Sequence, residues 1–184
     1  MPRRSAGLLV FRRTAAVGDG PGAVEVLLVH PGGPFWARRD DGAWSIPKGE
    51  HGADEDPRSA ADREFSEELG IAPPPGDRTD LGEVRQRSGK VVRAFAVDGD
   101  PDLTGFTPGT TEIEWPPRSG RRLEIPEVDR AEWFDLATAR TKLIDAQTPL
   151  LDAVSDLASR RDGVDAPRAG RRTPRSPDAP GPPG

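Results

Sequence analysis

The stretch that most constrains this chain is Asp56–Gly70, DPRSAADREFSEELG, because it carries the signals for both ends of a helix. Asp56 is a good N-cap, Pro57 suits the first helical position, and Gly70 is a natural stop. Between them Ala61, Phe65 and Leu69 recur at four-residue spacing and form one apolar stripe, so this helix must pack against something along that side. Glu64, Glu67 and Glu68 stand at i, i+3 and i+4, which gathers three carboxylates on a neighbouring face. Like charges so placed cost roughly 0.2–0.5 kcal/mol per pair, and the helix dipole disfavours negative charge near the C-terminal end. Two readings answer this: a solvated acidic face, or a site where a divalent cation reverses the sign of those interactions.

Composition narrows the choice of ligand chemistry. The 184 residues include no cysteine, so disulfides and thiolate zinc sites are excluded and a metal would take carboxylate, histidine or carbonyl ligands. The net charge is −5, but residues 160–184 carry net +3 and the remainder −8. An acidic body argues against broad nucleic-acid binding through the phosphate backbone and suits a site that collects cations. The apolar run Ala6–Phe11 is shorter than a signal-peptide core, and no stretch approaches a membrane span; a cytoplasmic protein is the expectation.

Along the chain, Ser5–Arg13 and Val24–His30 read as a strand hairpin around the turn Gly18–Gly22, and Leu81–Arg87 with Val91–Val97 as a second one joined at Ser88-Gly89-Lys90. Glu112–Trp115 and Ala131–Phe134 are short strand candidates, and Asp135–Lys142 and Thr148–Ala158 read as helices. Strands mixed with a few helices, without regular alternation, predict an α+β sandwich. Residues 1–158 form the expected domain. The segment 159–184, rich in Pro, Gly and Arg, is expected to be a disordered tail.

The stretch Gly49–Ile71 resembles the Nudix box, G-x5-E-x7-R-E-U-x-E-E-x-G-U with U a bulky apolar residue. Gly49, Glu55, Arg63, Glu64, Phe65, Glu67, Glu68, Gly70 and Ile71 fill all nine specified positions. A chance match at one start point is on the order of 10⁻⁹ at average residue usage. The resemblance implies an α/β/α sandwich with a mixed sheet and a hydrolase that cuts a pyrophosphate bond with Mg²⁺ or Mn²⁺. It implies Glu64, Glu67 and Glu68 as the main metal ligands, joined by the carbonyl of Lys48. Glu67 and Glu68 are thereby also catalytic, Glu55 and Arg63 hold loop and helix in register, and a homodimer is a family possibility. Glu127-Val128-Asp129-Arg130-Ala131-Glu132-Trp133 resembles the E-x5-W stretch of the family's dinucleoside polyphosphate hydrolases, which makes Glu127 the favoured general base over Glu112 and Glu124.

Substrate signals lie outside the box. Pro47-Lys48-Gly49 resembles members acting on diadenosine polyphosphates or diphosphoinositol polyphosphates, and Lys48 can act as a point charge on phosphates. The segment HPGGPFWARRDDGAWSIP, with Arg38, Trp36 and Trp44, can stack a base and grip a phosphate. Equally, its tryptophans can pack over the sheet, and at least one is expected to. Arg118, Arg121 and Arg122 are either a second phosphate clamp or a solvated basic loop. The favoured substrate is a dinucleoside polyphosphate, with nucleoside triphosphates, nucleotide sugars and diphosphoinositol polyphosphates as alternatives. A catalytically silent nucleotide-binding module is the rival from another class.

Overall fold

The computed structural model describes residues 4–15 and 22–165. Eight strands and three α-helices follow in the order β1 (Arg4–Arg13), β2 (Val24–Pro31), β3 (Lys48–Glu50), α1 (Pro57–Leu69), β4 (Thr79–Arg85), β5 (Val91–Asp98), β6 (Thr110–Glu114), β7 (Arg122–Pro126), β8 (Val128–Asp135), α2 (Leu136–Lys142) and α3 (Pro149–Asp165). The turn Gly18–Gly22 falls almost entirely outside the described residues. Helix α3 runs past the boundary expected at residue 158, and residues 166–184 lie outside the described residues.

Strand β1 organises the main sheet because all of it is paired. On one side it runs parallel to β5 from Arg4 to Phe11; on the other its first half pairs with β3 and its last residues with β2, both antiparallel. The sheet order is β4-β5-β1-β2-β8, with β3 attached to β1, and β6-β7 forms a separate ribbon. A strand buried on both faces needs apolar residues at every position, and Ala6, Leu8, Leu9, Val10 and Phe11 are all fully buried. Their alternation splits the core in two. Ala6, Leu8 and Val10 meet Phe65 and Leu69 of α1, while Leu9 and Phe11 meet Leu150, Leu151 and Val154 of α3. The result is the three-layered α/β/α sandwich with a mixed sheet.

Two short strands, β3 and β7, are not among the expected elements. Each owes its extended form to a partner rather than to its own residues, β3 to the start of β1 and β7 to β6. Among the described residues no helix is long and apolar enough to cross a membrane.

Candidate active site

Helix α1 is built as its residues dictate. Asp56 accepts a hydrogen bond from the Ser59 amide at 3.1 Å, and Gly70 closes the helix at φ 70° with its N–H on the Ser66 carbonyl. Ala61, Phe65 and Leu69 are wholly buried against the sheet, which turns the glutamate face toward β3 and the loops at the sheet end. The loop after β5 then caps the helix: Thr107 N–H donates to the Leu69 carbonyl and Gly109 N–H to that of Glu67. The Gly109 carbonyl accepts from Glu127 N–H at 2.8 Å, so a short relay of backbone bonds ties Glu127 to the end of α1.

The carboxylates that result are unequal. Glu68 is 9% exposed and accepts from the Lys48 backbone N–H at 3.2 Å. Burial pushes its carboxyl up to about 7, with Glu64 and Glu127 adding to the rise and Lys48 opposing it. Burial raises Glu64 as well, again with help from Glu127 and against the pull of Arg63. Glu67 is more exposed and lies across Arg63, whose Nη1 donates to both Glu64 Oε1 (2.7 Å) and Glu67 Oε2 (2.9 Å). The same guanidinium reaches Glu55 at 2.9 Å and the Glu50 carbonyl, tying the preceding loop to the helix. These bonds, that to Glu55 first, raise the Arg63 pKa further above its ordinary value. An added Cβ at Gly49 would stand 1.7 Å from Glu64 Oε2, so any side chain there would push that carboxylate from its present place.

Beside this cluster opens a cleft of about 600 Å³, lined among others by Trp36, Lys48, Arg87, Ile144 and Asp145. Lys48 joins the two: its backbone faces Glu68 and its half-buried side chain lines the cleft, where burial lowers its pKa against the pull of Glu68. The structure therefore brings Glu64, Glu67, Glu68, Lys48 and Glu127 to one place. Glu112 and Glu124 stay on the exposed ribbon, where Glu124 accepts from Thr110 Oγ1.

The two expected substrate contacts outside the box, Trp44 and Arg38, differ in exposure. Trp44 is 1% exposed, packed edge-on against His30 and Phe134, with its Nε1 donating to Asp40; no face is left for a base. Trp36 lines the cleft instead. Arg38 is exposed and lies outside the cleft lining. The neighbouring Arg39 stacks over Phe35 and Trp36 at 4.5 and 5.4 Å. Sequence reading missed the hairpin tip Gln86-Arg87-Ser88 and Asp145, which reach the cleft only through the fold.

The family model for the NUDIX domain matches residues 1–154. This chain belongs to the Nudix family. Its fold is shared with a C. elegans Ap4A hydrolase (23% identity, TM-score 0.56, covering 85% of this chain and 98% of that one). It is also shared with a mutT/nudix family protein from Listeria innocua (15%, 0.58, 89% and 99%). A third is the NUDIX domain of Shewanella oneidensis NrtR, complexed with ADP ribose (17%, 0.54, 85% and 89%). No curated protein matches the chain. As a Nudix hydrolase it is a pyrophosphohydrolase, and members of the family are generally divalent-metal dependent.

The Nudix residues present fit such an ion. Glu64 and Glu127 lie close enough to Glu68 to raise its proton affinity, and Glu127 close enough to Glu64 to raise that of Glu64. Hard carboxylate oxygens are the donors that Mg²⁺ or Mn²⁺ prefers. Among the described residues the side chains do not converge as a ready-made cage, and the Arg63 guanidinium bonds to both Glu64 and Glu67.

Proposed function

We propose that this Nudix hydrolase cleaves a nucleoside diphosphate linked to another moiety, with dinucleoside polyphosphates as the favoured substrates, and that Mg²⁺ or Mn²⁺ is its cofactor. The observation that carries the reading is the position of Lys48, which joins the buried carboxylate cluster to the cleft. Glu64, Glu67, Glu68 and the Lys48 carbonyl would hold the metal, which would supply charge neutralisation at the phosphates and a lower pKa for the attacking water.

The chain's own groups supply the rest. Glu127, fixed by its bonds to Gly109 and Gly32, takes the proton of the attacking water. The Lys48 ammonium offers a point charge to the phosphates, and Trp36 gives the cleft an aromatic wall for a nucleobase. The C. elegans relative is an Ap4A hydrolase, which agrees with the Pro47-Lys48-Gly49 signal.

The test is a substrate panel with Mg²⁺ at slightly alkaline pH: diadenosine tetraphosphate, a nucleoside triphosphate, ADP-ribose and a diphosphoinositol polyphosphate. Highest kcat/KM on diadenosine tetraphosphate, lost in Glu127→Gln, is the expected result. Preference for another class would move the substrate assignment, and an unimpaired Glu127→Gln would remove the base.

A further inference from the structure

The cleft's charged lining residues are Lys48, Arg87 and Asp145. Lys48 is half-buried and adjoins the carboxylate cluster through its backbone bond to Glu68. Arg87 and Asp145 meet at the mouth, where Arg87 Nη2 donates to Asp145 Oδ2 at 2.8 Å. The partners come from opposite banks. Arg87 sits in the tight turn between β4 and β5, closed by bonds from Gln86 N–H to the Lys90 carbonyl and from Gly89 N–H to that of Gln86. Asp145 opens the short 3-10 turn Asp145–Gln147.

Both banks are anchored without this ion pair. Gln147, wholly buried, accepts from the Ile46 amide at 2.9 Å, and Ile144 N–H donates to the Trp44 carbonyl. The pair itself is almost fully solvated, with side-chain exposures of 90% for Arg87 and 82% for Asp145. Exposed ion pairs of this kind hold structure together weakly, so exchange of partners is cheap. A phosphate is the stronger partner for a guanidinium, because it can take two parallel charge-assisted hydrogen bonds.

The geometry points to Arg87 as the specificity residue of the cleft: it leaves Asp145 to bind a substrate phosphate beyond the bond being cut, and Asp145 is the placeholder that such a phosphate displaces. This rests on the cleft being the substrate site. It selects substrates with an anionic group at the mouth, such as polyphosphates, over those ending in a neutral sugar. Asp145 acts in the opposite sense, since its charge repels the same group.

Opposite signs make the test. Arg87→Gln and Asp145→Asn are compared with the wild-type full chain, with Mg²⁺ and at constant ionic strength, on diadenosine tetraphosphate and ADP-ribose. Arg87→Gln should raise KM for diadenosine tetraphosphate by roughly tenfold, the loss of a charged hydrogen bond, with kcat little changed. Asp145→Asn should lower that KM severalfold, and neither variant should move KM for ADP-ribose. The same proteins are titrated with inorganic tripolyphosphate by calorimetry, and Kd should move in the same two directions. If both variants raise KM and Kd alike, the pair merely shapes the cleft; if neither moves them, Arg87 touches no phosphate. Either result overturns the assignment. Should the wild type cut neither nucleotide, the proposed activity fails, while the tripolyphosphate titrations still decide the role of Arg87.

Discussion

At the scale of single residues, the site is held by crowding. Gly49 is the plainest case: a methyl group there would occupy the place of the Glu64 carboxylate. Gly49→Ala should therefore lower kcat by about tenfold or more while the protein still folds, measured by steady-state kinetics beside a thermal melt. Glu68 carries a pH dependence. Its folded-state pKa, raised to about 7 by burial, lies above the ordinary carboxyl value. Its contribution to stability is thus fully present below about pH 4 and lost as pH rises through about 7. In a chelator, Glu68→Gln should melt higher than wild type at pH 8, and the gap should close toward pH 4. An equal gap at both pH values would contradict the burial argument.

The glutamates were legible in the sequence because i, i+3, i+4 spacing is a local property that any helix honours. Trp44 was not. It and Trp36 occupy the same irregular segment, and only contacts from distant strands, such as Phe134, decide which ring is buried.

At the scale of elements, the capped helix is the part that its own sequence specifies. Asp56→Ala should cost about 1 kcal/mol, read as a lower denaturant midpoint with unchanged m-value, because the lost bond to Ser59 N–H alters no buried surface. The hairpin β4–β5 was readable from its alternation and its Gly89 turn, although β4 begins and ends two residues before the expected Leu81–Arg87. Strands β3 and β7 were not, since each is short and made extended by a partner. Glu127 stands between these cases. Its segment was recognisable, but its place beside α1 depends on Gly109, which bonds to both Glu67 and Glu127; no spacing in the sequence announces that meeting.

At the scale of the whole molecule, the mixed sheet separates two cores and brings a carboxylate cluster, a lysine and an aromatic-walled cleft to one place. Lys48 lies where the carboxylate cluster and the cleft meet, the place the proposed function gives to the substrate's phosphates. The central claim is that the α1 carboxylates, loaded with a divalent ion, perform the hydrolysis. The most direct measurement is the rate of diadenosine tetraphosphate cleavage with Mg²⁺, with chelator, and in Glu68→Gln. Turnover that chelator abolishes and that Glu68→Gln lowers by at least about 100-fold is the expected result. Cleavage that survives both the chelator and the substitution would contradict it.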